Sequence, residues 1–122
     1  MQAIKPTEIK LLQKLKKLFI TFEDGCCFEL SCEYLRVFSP SAEVKGHGGK
    51  VGQLVLHKQD VNIIGIDPVG NYAVKLVFDD GHQTGIYSWD TLYSLGKNYH
   101  TNWQDYLNRA ASNLLPFNND ND

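Results

Sequence analysis

The chain has 122 residues, with 12 basic against 14 acidic side chains, a net charge of −2 and 43% hydrophobic residues. That size suits a single domain whose core buries roughly two-thirds of the unfolded surface. The near-even charge excludes nonspecific nucleic-acid binding and gives no pull toward an anionic membrane surface, since both need concentrated positive charge. No apolar run approaches the ~20 residues that span a bilayer.

The N-terminus carries no hydrophobic signal segment and no cleavage site, so the expected compartment is the cytoplasm. There Cys26, Cys27 and Cys32 are expected as thiols. Residues 7–22 read two ways. Leu11, Leu12, Leu15, Leu18 and Phe19 fit one face of a helix. Phe19-Ile20-Thr21-Phe22 is instead β-rich, and Leu18, Ile20 and Phe22 alternate. Strands at 7–13 and 15–22 around a turn at Gln13-Lys14 are preferred, with the helix left open.

Asp24-Gly25 then turns the chain into a strand at 26–30, because glycine accepts the positive φ of a tight hairpin. Ser31 sits at an N-cap position before a short helix through Arg36, which Ser39-Pro40-Ser41 ends. Residues 43–52 form a Gly-rich loop with Lys45, His47 and Lys50. Its spacing matches no phosphate-binding fingerprint, so it reads as a surface loop. A short strand at 54–57, a β-branched strand at 61–66 and a turn at 67–71 follow. Strands at 72–78 and 83–87 flank a second Asp-Gly pair, Asp80-Gly81. Ser88 caps a helix that Gly96 closes near Leu95.

A last helix at about 101–114 opens on a capping box of Thr101 and Gln104. Trp103, Tyr106, Leu107, Ala110 and Leu114 share one of its faces, and Pro116 stops it. One domain is therefore expected over 1–115, followed by a disordered acidic tail at 116–122. The chain says the same thing twice: an Asp-Gly hairpin, a capping serine, a leucine-ended helical turn. The expected fold is α+β, two-layer and mostly antiparallel, built from two such hairpin-plus-helix units and a C-terminal amphipathic helix.

Several of these residues carry a resemblance. They are Asp24-Gly25; Leu35-Arg36 followed by Ser39-Pro40-Ser41-Ala42-Glu43; Val69-Gly70-Asn71-Tyr72-Ala73-Val74; and Asp80-Gly81-His82 with Gly85-Ile86-Tyr87-Ser88-Trp89 and Leu92. The set resembles the gamma-butyrobetaine hydroxylase-like N-terminal domain family over about residues 7–96. The resemblance implies a compact α+β domain found in three settings. It precedes an iron and 2-oxoglutarate-dependent domain and binds a structural zinc; it joins an Mrp-type ATPase that carries iron–sulfur clusters; or it stands alone in bacteria. The zinc-binding members carry cysteines where this chain has Ser39, Ser41 and Val44, and a histidine where it has His82. A closed structural zinc site needs four ligands, and His82 is the single candidate that remains, so no zinc and no other cofactor are expected. No facial-triad pattern for non-haem iron is present either.

The other candidates have bland readings beside the functional ones. Adjacent strand residues Cys26 and Cys27 point to opposite faces, which argues against one shared ion. Asp80, His82 and Tyr87 form a candidate polar cluster, yet turn residues of this type serve the turn first, and Ser88 has a capping role already. Arg36 is a candidate for a partner's carboxylate or for pinning its own loop. Trp103 and Tyr106 are candidates for a partner surface or for packing on the chain's own sheet. The reading reached is a non-enzymatic adaptor domain, expected as a monomer, with no catalytic residue. Its protein partner is tied by the resemblance alone to iron–sulfur assembly or carriage. A metal- or cluster-handling protein using His82 and the cysteines is the alternative, and a small enzyme working through Asp80 and His82 the second.

Overall fold

The structure is a computed structural model describing residues 4–40, 56–82 and 85–119, with the backbone alone over 112–119. Strands β1 (Pro6–Leu12), β2 (Lys17–Phe22) and β3 (Cys27–Ser31) pair antiparallel in that order. In β2 the side chains of Leu18, Ile20 and Phe22 are buried while their neighbours are half-buried, the period of two that a sheet with one dry face requires. The helical alternative for this region is overturned. The register sets Ile9 opposite Ile20 and Leu11 opposite Leu18, so the apolar sets meet across strands. A 3-10 turn at Gln13–Leu15 joins β1 to β2, and Lys16 closes it in the left-handed region at φ 55°. Helix α1 (Cys32–Val37) follows, with Ser31 Oγ accepting the Tyr34 N–H at 3.0 Å.

The second unit repeats the order. Strands β4 (Ile63–Val69), β5 (Ala73–Phe78) and β6 (Gly85–Ser88) form their own three-stranded antiparallel sheet. Helix α2 (Trp89–Lys97) starts at Ser88, whose Oγ accepts the Thr91 N–H at 3.1 Å. The architecture is α+β, with two sheets and no closed barrel, each hairpin-plus-helix unit owning one sheet. Both inner faces and both helices share one core: Leu18, Ile20, Phe22 and Leu30 meet Ile63, Leu76, Phe78, Tyr87, Leu35 and Leu92. Two side chains stitch the units at their edges. Gln13 Nε2 donates to the Ile63 carbonyl at 3.0 Å, and Asn62 Nδ2 donates to the Gln13 carbonyl at 3.0 Å.

Four boundaries differ from the sequence reading, each for a physical reason. Strand β4 runs on through Pro68 to Val69, and the turn begins at Gly70. Proline is tolerated there because β4 is an edge strand, whose outward side needs no N–H. Helix α2 passes through Gly96 to Lys97, with Asn98 as its C-cap; the glycine is there because the Phe28 ring occupies the space of its missing Cβ. Helix α3 (Tyr99–Asn119) opens two residues before Thr101, so Thr101 and Gln104 lie within it and the capping box is not formed. It also continues past Pro116, whose fixed φ near −65° is itself helical; the expected tail at 116–122 thus overlaps helix up to Asn119. Leu56 and His57 are not in a strand; the rest of the strand expected at 54–57, and the Gly-rich loop at 43–52, lie outside the described residues. No helix among the described residues is long and apolar enough to cross a membrane.

Candidate functional site

The two Asp-Gly turns have one backbone design. Phe22 N–H donates to the Cys26 carbonyl at 2.8 Å, and Phe78 N–H to the His82 carbonyl at 3.0 Å. Gly25 and Gly81 take φ of 91° and 96°, which other residues rarely adopt. Asp24 Oδ1 accepts the Cys26 N–H at 3.0 Å, and Asp80 Oδ1 accepts the His82 N–H at 3.1 Å. The chemistry-bearing side chains gather at the second turn.

There the other carboxylate oxygen of Asp80 takes two cations. Arg36 Nε on α1 donates to Oδ2 at 2.9 Å, and Lys58 Nζ donates to the same atom at 2.7 Å. All three side chains are largely buried, at 13%, 24% and 19% exposure for Arg36, Lys58 and Asp80. Burial alone would push the Asp80 carboxyl up. The Lys58 ammonium, the His82 N–H and the Arg36 guanidinium outweigh it and hold the group at about 2. Asp80 is therefore an ion-pair partner and a poor proton acceptor near neutrality.

His82 lies on the far side of the turn. Its Nε2 is 3.0 Å from Ser39 Oγ, and Ser39 is fully buried just past the end of α1. Burial, then the Arg36 charge, lower the His82 pKa against the raising effect of Asp80, so the ring is neutral at pH 7. Behind them the Tyr87 hydroxyl donates to the Leu35 carbonyl at 2.5 Å, and burial pushes that phenol up. Gly85 is needed here, since a Cβ would stand 2.9 Å from Ser39 Oγ. A serine hydroxyl beside a neutral imidazole has the geometry of a nucleophile and its base. Ser39 is buried, and the Asp80 carboxylate, the neighbouring acid, is bound to cations.

Ser39 and His82 do come together, as the relatives' ligand positions imply, but they hydrogen-bond each other. Ser41 and Val44, the other two positions of that expected ligand set, lie outside the described residues. Among the described residues no three His, Cys, Asp or Glu side chains gather to hold a metal ion. The cysteines are dispersed. Cys26 Sγ lies 3.6 Å from Tyr93 Oη, Cys27 is exposed beside Thr21, and Cys32 is buried with Sγ 3.6 Å from Asn62 Oδ1.

The partner-surface candidates have separate environments. Arg36 holds a carboxylate, and that carboxylate is the chain's own Asp80. Tyr106 is 4% exposed, and its ring stacks 4.9 Å from that of Trp103. Trp103 in turn packs edge-on against Tyr34, whose hydroxyl donates to the Leu95 carbonyl at 2.7 Å. These two aromatics fasten α3 to the body and leave Leu107 exposed beyond them. Sequence reading missed Lys58 and Asn62. Lys58 lines a shallow cleft of about 260 Å³ with His57, Asp60, Val61, Asp79 and Asp80. His57 precedes it at φ 62°, a conformation no local motif announces. The Asn62 N–H donates to Asp79 Oδ1 at 3.0 Å and its carbonyl accepts the Asp79 N–H at 2.9 Å, besides the side chain reaching Gln13.

Comparison with known proteins agrees with this geometry. A family model described as "Gamma-butyrobetaine hydroxylase-like, N-terminal" matches residues 9–93. One similar structure, solved by NMR in solution, is 51% identical with a TM-score of 0.79 and covers 91% of this chain and 83% of its own. A second NMR structure is 42% identical with a TM-score of 0.75, covering 91% and 87%. A crystal structure of a DUF971-family protein of unknown function from Acidithiobacillus ferrooxidans ATCC 23270 is 37% identical with a TM-score of 0.65, covering 75% and 92%. A search of curated proteins gives no match.

Proposed function

Because this chain belongs to the gamma-butyrobetaine hydroxylase-like N-terminal domain family, we propose that it acts as a non-enzymatic protein-interaction domain. The observation that carries the reading is a contrast between outer sheet faces. The first sheet's outer face is filled with charge: Lys17 pairs with Glu29 at 3.7 Å, Lys10 pairs with Glu8 at 3.7 Å, and Lys10 also covers the Phe19 ring. On the second unit Ile64 on β4, Ile86 on β6 and Tyr72 in the β4–β5 turn are exposed, at 58%, 45% and 58%. Ile86 lies across from Lys75, and Gly65 opposite Val77 adds no side chain to cover it. A contiguous exposed apolar patch marks a surface that meets another protein, and the exposed residues of this unit are the candidates for one. The chemistry at the second turn supports the same reading, since its acid and base are held in structural pairs.

The link of that partner to iron or iron–sulfur metabolism rests on the family resemblance alone. The test is capture from a native extract. Wild-type chain retains a reproducible partner that Ile86→Glu loses and Leu15→Glu, on the exposed turn of the first unit, keeps. Equal retention by both variants sinks this face as the contact. The metal-handling alternative uses His82 with Cys26, Cys27 and Cys32, thiols that the structure disperses. Stoichiometric metal on the purified chain that disappears in His82→Ala replaces the adaptor reading.

A further inference from the structure

Three segments distant in sequence converge on one atom, Asp80 Oδ2: the last turn of α1 through Arg36, the chain entering β4 through Lys58, and the β5–β6 turn itself. We infer that Asp80 is a two-armed latch, a single carboxylate whose charge holds the end of α1 and the stretch around Lys58 shut together. Oδ1 accepts the turn's own His82 N–H, and both arms share Oδ2. Each segment has contacts of its own, the Tyr87 hydroxyl on the Leu35 carbonyl and Ser39 Oγ beside His82 Nε2 on one arm and the buried Val61 on the other, and Asp80 Oδ2 is where the two meet. Helix α1 has only six residues, and beyond it the Ser39 N–H donates to the Arg36 carbonyl at a long 3.3 Å. On the other arm the Val61 N–H closes a turn onto the Lys58 carbonyl at 3.1 Å, beside the left-handed His57. A short helix and a strained turn are the low-stability elements from which local opening is drawn. Fastening them to one ionic point makes them open as a pair, at a place where α1, the cleft beside Lys58 and the second sheet meet.

The equivalent position in the first unit works differently. Asp24 Oδ2 accepts one neutral donor, the Tyr93 hydroxyl at 2.6 Å, and ties down one segment. The latch is thus specific to the second turn.

Amide hydrogen exchange on the full chain tests the inference. Asp80→Asn keeps an oxygen for the His82 N–H and removes the charge. It is expected to speed exchange of Phe38, Ser39 and Val61 together, by about tenfold each, and to leave Gly25 and Tyr34 within about twofold of wild type. Acceleration at only one arm, uniform acceleration of every amide, or no change overturns the latch. Lys58→Gln is the second variant and serves if Asp80→Asn fails to fold. It releases one arm, so Val61 alone accelerates; equal acceleration at Phe38 and Ser39 counts against two separable arms.

Discussion

At the first Asp-Gly turn the carboxylate of Asp24 takes a phenol from α2 of the second unit; at the second, Asp80 takes a guanidinium from α1 of the first, and a lysine besides. Arg36 and Tyr93 occupy the same place in the repeat, five residues after capping serines Ser31 and Ser88. Each unit's helix therefore reaches over to the other unit's turn. The clasp is reciprocal, but in one half the carboxylate meets a neutral phenol at an exposed site and in the other it meets two cations and is largely buried. A shared local backbone fixes where a turn aspartate points. What it holds is decided by the residue that tertiary packing delivers, and that residue has diverged between the halves.

The sharpest break of the comparison lies where β3 of the first unit packs against α2 of the second. Phe28 of β3 fills the space beside Gly96 in α2, and a Cβ there would collide with the ring. Gly96→Ala is expected to destabilise by about 3 kcal/mol, the upper range for overpacking, despite alanine's better helix propensity. Denaturant melting measures it, and Phe28→Leu in the same chain should recover part of the loss, since the two residues touch. A stabilised Gly96→Ala would mean that the ring is not seated as described.

The turns themselves should respond alike. Nothing lies within 4 Å of a Cβ built at Gly25 or Gly81, so the cost of a side chain is conformational and not steric. Gly25→Val and Gly81→Val should each cost about 2 kcal/mol from strained positive φ. Unequal melting shifts would show that the two turns are less alike than their backbones suggest. The caps come next: Ser31→Ala and Ser88→Ala should each lose about 1 kcal/mol, read from the same unfolding curves. A neutral substitution at either serine would remove that cap from the repeat.

Much of this was legible in the chain because the signals are local. Asp24-Gly25 and Asp80-Gly81 announce hairpins, Ser31 and Ser88 announce helices, and their common spacing announces a duplication. Arg36 and Tyr106 could be named as candidates, but not the groups they would meet. Pro68 misled because a sequence does not say that its strand lies at a sheet edge, and Gly96 because it reads as a helix stop until Phe28 is placed against it. Lys58 and Asn62 were invisible for the same reason. Their partners, Asp80 and Gln13, lie 22 and 49 residues away. Long-range pairs of this kind leave no period and no motif.

The smallest expected effect separates the turns by pH. His82 occupies the second turn where Cys26 occupies the first, and its folded pKa lies below the ordinary 6.5 because of burial and the Arg36 charge. The unfolded chain then binds the proton more readily than the folded one. Stability tied to this imidazole is fully present above about 6.5 and falls as pH drops through the window down to the lowered folded value. Asp80 adds loss of the same sign at far lower pH, as acid passes below 3.8 toward its folded value of about 2. Between pH 7 and 5 the slope of stability should therefore diminish in His82→Gln, which keeps a polar group for Ser39, and persist in Cys26→Ser. A slope unchanged by His82→Gln would assign the acid response elsewhere and leave the two turns electrostatically closer than the Arg36–Asp80–Lys58 cluster makes them.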